Sequence, residues 1–206
     1  MVDRWTIQIV KQPLIYGALF LHRQNVSADQ VTLFGALVGL LCLPLLFLNF
    51  YYAALVCIII NRIADGLDGP LARMTKATDC GAFLDITLDF IFYSAVVFGF
   101  ALADPTNNSL AAAALLFSFI GTGSSFLAFG IMAERHNISN FRFANKGFYY
   151  LDGLAEGTET IIFLVLFCVF PQHFSLIAWF FASICYLTTI IRILTGFKTL
   201  KEVRAQ

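Results

Sequence analysis

The strongest constraint in this chain is a succession of apolar stretches, each close to the length that crosses a bilayer. A helix rises about 1.5 Å per residue, so about 20 mostly apolar residues traverse the hydrocarbon core. Six segments meet that length: residues 31–49, 51–74, 80–103, 109–134, 151–171 and 174–196. Lipid offers the backbone no hydrogen-bond partners, so runs of this kind are helical. The reading is one all-α integral membrane domain over residues 1–206. It has a juxtamembrane arm (1–30), a six-helix transmembrane core (31–196) and a short tail (197–206). Composition excludes the competing classes. The chain is 59% hydrophobic and 13% charged, where soluble domains average about 45–50% and 25%. Thirteen Lys and Arg balance thirteen Asp and Glu, so the basic surface that nucleic acid requires is missing.

The links between segments alternate in character. Those at 49–51, 104–108 and 171–173 contain no Lys or Arg. Arg4, Lys11, Arg23, Arg73, Lys76, Arg135, Arg142, Lys146, Lys198, Lys201 and Arg204 all fall on the opposite side. The positive-inside rule makes that side, and both termini, cytoplasmic. The compact chain, without targeting tails, points to a bacterial inner membrane. No cleaved signal peptide is expected, because the first long apolar run begins only near residue 31.

In the arm, Trp5, Ile7, Ile9, Val10, Leu14, Ile15, Leu19 and Phe20 interleave with Arg4, Gln8, Lys11 and Gln12. This predicts an amphipathic helix on the cytoplasmic surface, with Trp5 at headgroup depth and a kink at Pro13. Ser27 and Gln30 have the spacing of a capping box. The five cysteines are scattered and the three histidines lack metal-ligand spacing, so neither type points to zinc or a disulfide framework.

The informative residues are acids inside apolar helices. The second segment contains Asp65 and Asp68, and the third contains Asp85 and Asp89. A carboxylate at mid-bilayer costs about 2.5–3.5 kcal/mol on the insertion scale. Such residues persist where they are paired, face water or do chemistry. The i, i+3 and i, i+4 spacings put each pair on one helix face. The short turn makes the two helices antiparallel neighbours, so all four carboxylates can face one another near the cytoplasmic end. Arg62 and Arg73 alone are too little counter-charge. All-oxygen ligands favour Mg²⁺, Mn²⁺ or Ca²⁺. Two such ions would balance four carboxylates, and paired metals suit displacement at phosphorus. The bland alternative is an Asp–Arg network that only locks helices together. Gly66, Gly69, Ala72 and Gly81 serve either close helix packing or the approach of a ligand.

The stretch DGLDGPLAR (65–73), followed by GAFLDITLD (81–89), resembles the signature of the CDP-alcohol phosphotransferase family, D-x-x-D-G-x-x-A-R, a spacer, then G-x-x-x-D-x-x-x-D. All eight fixed residues are present. The segment NVSADQVT (25–32) loosely resembles the start of the family's first span. The spacer, residues 74–80, is one residue shorter than usual, which bears on the placement of Arg73 and Gly81. The resemblance implies transfer of a phosphoalkyl group from a CDP-linked alcohol, typically CDP-diacylglycerol, to a small or lipid alcohol, with release of CMP. It implies Mg²⁺ or Mn²⁺ on Asp65, Asp68 and Asp85. Asp89 would be general base for the acceptor hydroxyl and a further metal contact. Gly69 and Ala72 would make room for cytidine, Arg73 would meet phosphate and Gly81 would pack tightly. A homodimer among membrane lipids is implied in the same way.

The fifth segment opens with Asp152, Glu156 and Glu159, which share a helix face. Glu156 and Glu159 are candidates to line the acceptor pocket or extend the metal site, and Arg135, Arg142 and Lys146 either serve the positive-inside pattern alone or meet an acceptor phosphate. Thr122, Gly123, Ser124 and Ser125 form a polar break in the fourth segment. Arg192 is placed to snorkel to the cytoplasmic surface. Three other readings of the acids stand at this point. The same site can use water, as a CDP-alcohol hydrolase. The acids can bind a permeating ion, as in a divalent-cation transporter. The chain can be a non-catalytic assembly subunit, against which the intact aspartates argue.

Overall fold

The structure, a computed structural model, describes residues 3–75, 77–136, 138 and 154–204. Helix α1 (Asp3–Arg23) precedes the first apolar stretch, which α2 (Ala28–Leu40) and α3 (Cys42–Phe47) share. Then follow α4 (Tyr51–Met74), α5 (Asp79–Ala103), α6 (Pro105–Arg135), α7 (Gly157–Val169) and α8 (Phe174–Arg204), the last entered through a 3-10 turn at Pro171–His173. Lys76, Arg142, Lys146, Asp152 and the expected start of the fifth segment lie outside the described residues.

Local chemistry sets the helix ends. Asn25 and Asn49 adopt φ of 58° and 62°, the left-handed conformation that asparagine tolerates better than most side chains. Each reverses the chain out of a helix. The Val26 amide then donates to the Leu21 carbonyl (3.2 Å), and the Phe50 amide to that of Leu45 (2.8 Å). The expected capping box is present: Ser27 Oγ accepts from the Gln30 amide at 3.2 Å, and Gln30 Oε1 from the Ser27 amide at 3.0 Å. Thr78 Oγ1 caps α5 by accepting from the Gly81 amide at 3.1 Å. The first apolar stretch is not one continuous helix, because it breaks at Leu41. Pro44 has no N–H to offer the Leu40 carbonyl, and its ring crowds that oxygen. By contrast, α1 continues through Pro13.

Among the described residues, four segments are long and apolar enough to cross a membrane: Ala28–Phe47, Asp79–Ala103, Pro105–Arg135 and Pro171–Glu202. They make this an integral membrane protein. Six were expected. Helix α4 has the length, at 24 residues, but Arg62, Asp65, Asp68 and Arg73 interrupt its apolar character. Helix α7 is apolar but has only 13 described residues.

Packing pairs α2 with α4, α3 with α5 and α6 with α8. Small residues bring α2 and α4 together. A Cβ on Gly35 would lie 2.6 Å from that of Ala64, and one on Gly39 would lie 2.8 Å from both Asn61 Nδ2 and Phe92. Helix α1 docks on α4 in the same way. A Cβ on Gly17 would meet Leu67 at 2.7 Å, and one on Gly66 would meet Leu14 at 3.0 Å. The end of the bundle where α4 starts and α5 stops is an aromatic stack. Phe100 lies 4.6 Å from Phe174 and 5.8 Å from Tyr51, nearly parallel to both, with Phe167 edge-on at 5.8 Å. Such contacts are worth about 0.5–1.5 kcal/mol each beyond area burial. They fix the helices at the end opposite the acids.

Candidate active site

Asp65 lies nine residues before the end of α4, and Asp89 ten residues after the start of α5. At 1.5 Å per residue both are about 13–15 Å inside the bundle. Asp65, Asp68 and Asp85 each present a carboxylate oxygen within 4.8 Å of the other two. Octahedral Mg²⁺ at about 2.1 Å per bond places its ligand oxygens about 3.0–4.2 Å apart. A small side-chain adjustment therefore brings the three into coordination range, and the all-oxygen donor set fits Mg²⁺ or Mn²⁺. The cleft between them is also lined by Thr32, Asn61 and Asp89, and its interior volume is ≈ 10 Å³. That is room for about one small ion or water.

Asp89 is held differently. Arg62 Nη2 donates to Asp89 Oδ1 at 2.6 Å, and Arg62 Nη1 reaches Asp89 Oδ2 at 3.5 Å and Asp65 Oδ2 at 3.4 Å. The Tyr93 hydroxyl donates to Asp89 Oδ2 at 3.2 Å and accepts from Arg62 Nη1 at 2.8 Å. Three of the four acids thus converge, and Arg62 pairs closely with the fourth, Asp89, and at longer range with Asp65. Asp68, 7% exposed, accepts a 2.6 Å hydrogen bond from the Thr32 hydroxyl. Thr32, Arg62 and Tyr93 all touch the cluster. Of these, spacing along the sequence points only to Arg62, as counter-charge; Thr32 and Tyr93 join through the packing of α2 and α5 on α4.

The other expected residues sit around this centre. Arg73 is exposed, and its Nη1 is 3.4 Å from where a Gly69 Cβ would lie. A side chain at Gly69 would meet only that flexible guanidinium, so packing does not demand glycine there. Ala72 is half-buried one turn further along α4. At Gly81 a Cβ would meet Asp29 Oδ1 at 2.9 Å and Thr78 Oγ1 at 3.2 Å, so the first turns of α2 and α5 abut there. Glu156 precedes α7, its carbonyl accepting from the Thr160 amide (3.0 Å) and hydroxyl (2.9 Å), and Glu159 lies in the first turn. Neither lines the carboxylate cleft. Arg192 does not snorkel. It is 7% exposed, donates to the Thr122 carbonyl at 3.1 Å and stands 5.6 Å over the Phe126 ring. The polar break in α6 supplies that acceptor. On the same face of α8, the Thr188 hydroxyl accepts from the amides of Leu154 (3.1 Å) and Ala155 (2.9 Å).

Residues 25–191 match the family described as CDP-alcohol phosphatidyltransferase. The chain is 50% identical to the inner membrane protein YnjF of Escherichia coli (strain K12), over 100% of both chains. It is 32% identical to the archaetidylinositol phosphate synthase of Pyrococcus horikoshii, over 61% of this chain and 72% of that one. The fold is similar to that of Mycobacterium tuberculosis phosphatidylinositol phosphate synthase. The TM-score is 0.66 for the structure with CDP-DAG bound, at 22% identity over 89% of this chain and 93% of that one. For the complex with manganese and citrate it is 0.67, at 23% identity over 89% and 88%.

Proposed function

This chain belongs to the CDP-alcohol phosphatidyltransferase family, and on that premise we propose that it transfers a phosphatidyl group from CDP-diacylglycerol to an acceptor hydroxyl, releasing CMP. The observation that carries this reading is the division of the acids: three carboxylates converge and the fourth is held beside them. Asp65, Asp68 and Asp85 would hold Mg²⁺ or Mn²⁺, whose chemistry here is to offset the charge that grows on the departing CMP. The similar structure solved with manganese supports that choice of ion, and the one solved with CDP-DAG supports the donor.

Asp89 takes the proton of the acceptor hydroxyl, which is a poor nucleophile until a positioned base removes it. Its bonds to Arg62 and Tyr93 keep it aimed. Gly69 and Ala72 leave room for the nucleoside, Arg73 meets phosphate at the exposed rim, and Gly81 keeps the rim closed. Glu156 and Glu159 would meet the acceptor, a small or lipid alcohol. In the membrane, α4 and α7 complete six spans with both termini cytoplasmic. The apolar side of α1 rests on that surface, and two copies form a homodimer. The E. coli relative's name supports an inner-membrane location.

The test is CMP release by purified protein given CDP-diacylglycerol, Mg²⁺ or Mn²⁺, and acceptors added one at a time. Release that depends on one acceptor, and that drops about 10²–10⁴-fold in Asp89→Asn, is the expected result. Release without any acceptor would make the protein a hydrolase. No release with any CDP-alcohol would overturn the reading.

A further inference from the structure

We propose that α1 is a positioning element for the acidic centre, in which Leu14 and Gly17 set how closely α4 carries Asp65 and Asp68 to Asp85. This rests on the metal-assisted reading above and adds to it two residues that touch neither ion nor substrate.

The contact falls on the two residues that separate the acids of α4. A Cβ on Gly17 would lie 2.7 Å from Leu67 Cδ2, and one on Gly66 would lie 3.0 and 3.1 Å from Leu14 Cδ1 and Cδ2. Ordinary carbon contacts are about 3.5–4.0 Å, so each helix reaches the other's backbone with no room for one more methyl. Ala18, beside Gly17, is 0% exposed and shares an apolar cluster with Leu71 of α4, against which Leu67 and Met74 pack. Successive side chains on a helix stand about 100° apart, so Gly66 and Leu67 are centred about 180° around α4 from Asp65 and Asp68. Helix α1 therefore presses directly behind the acids. It packs chiefly on α4, so its seating moves Asp65 and Asp68 relative to Asp85 on α5. That separation has little slack. The three carboxylates offer oxygens within 4.8 Å of one another, and neighbouring ligands of a Mg²⁺-sized ion stand about 3.0–4.2 Å apart. The overlap that a Cβ at Gly17 would create, about 1 Å, is as large as the gap between those spacings.

The experiment measures the Mn²⁺ affinity of the purified full chain in detergent by electron paramagnetic resonance, below the unfolding midpoint of each variant. Gly17→Leu forces α1 and α4 apart and should weaken Mn²⁺ binding about 10–100-fold, the loss typical of a residue that orients metal ligands. Adding Leu67→Ala makes room for the new side chain and should return most of the affinity. Tyr16→Ala, on a side of α1 that is 70% exposed, should stay within about threefold of wild type, as changes outside packed contacts do. A contact that only stabilises the fold would lower the unfolding midpoint of Gly17→Leu and leave the affinity of the folded chain alone. Should Gly17→Leu not fold, Leu14→Ala carries the test by removing bulk instead of adding it, with Mn²⁺ binding expected to weaken about tenfold. Wild-type affinity in whichever of these two variants is folded, or an equal loss in Tyr16→Ala, would sink the inference and leave the metal reading standing. No Mn²⁺ bound by the wild type would overturn both.

Discussion

A pair of identical substitutions separates steric from intrinsic effects in this fold. Gly39→Ala would place a Cβ 2.8 Å from Asn61 Nδ2, 2.8 Å from Phe92 Cδ2 and 2.9 Å from Asn61 Cγ, closer than folded proteins permit. Neither neighbour yields easily. Phe92 is 1% exposed, and Asn61 is tied to Gly35 and Arg62. Gly157→Ala, at the start of α7, meets nothing within 4 Å. Both changes replace a helical glycine by alanine, and any gain from this, at most about 0.5–1 kcal/mol, is smaller at the helix start than in an interior. Their difference is therefore dominated by the overpacking, about 1–3 kcal/mol against Gly39→Ala. For a chain of this size that corresponds to unfolding midpoints about 2–12 °C apart, read by thermal denaturation in detergent. Gly39→Ala should also lose CMP release, since the displaced Asn61 carries Arg62 and Arg62 carries Asp89. Equal midpoints for the two variants would refute the claim that α2 and α4 meet without slack at Gly39.

Three further outcomes follow from the geometry. Thr32→Val removes a hydroxyl that donates at 2.6 Å to the buried Asp68; with metal chelated, it should destabilise the protein by about 1.5–3 kcal/mol, while Thr32→Ser should lose much less. Phe100→Ala empties the centre of the aromatic stack and should cost about 3–5 kcal/mol in unfolding free energy, with Mn²⁺ affinity unchanged because the acids lie at the other end. In the first turn of α6, Asn107 donates to the capping Asp104 through Nδ2 at 2.7 Å and its amide at 3.2 Å, holding that carboxyl below the usual range. A depressed folded value means this contribution is complete above the unfolded carboxylate pKa of about 3.9 and is lost as pH falls through the folded value. Asn107→Ala should move the Asp104 titration up toward the ordinary value, as followed by carboxyl NMR.

What was legible in the sequence was what depends on one helix or one turn. The i, i+3 and i, i+4 acids identified Asp65, Asp68 and Asp85 because the faces of two antiparallel neighbours follow from spacing alone. The Ser27–Gln30 box was readable for the same reason. Thr32 and Tyr93 were not, because their importance depends on which face α2 turns toward α4 and where α5 brings a hydroxyl. One available signal was passed over: Gly35 and Gly39 are a G-x-x-x-G pair, the spacing that lets helices approach closely in lipid. Pro44 likewise announced the break in the first span. Arg192 was misjudged because position near a helix end says nothing about an inward acceptor such as the Thr122 carbonyl. The count of spans differed where charge and length conflict, in α4 and α7.

The Arg62–Asp89 pair has a consequence for how the protein is made. A newly synthesised hairpin of α4 and α5 must enter the bilayer before any metal has been loaded, and four bare carboxylates would oppose that step. With the guanidinium against the Phe92 and Tyr93 rings and bonded to Asp89, part of that burden is cancelled by the polypeptide itself. The cost of burying the hairpin's acids is thereby met in part by a residue of the same helix, before anything else need bind.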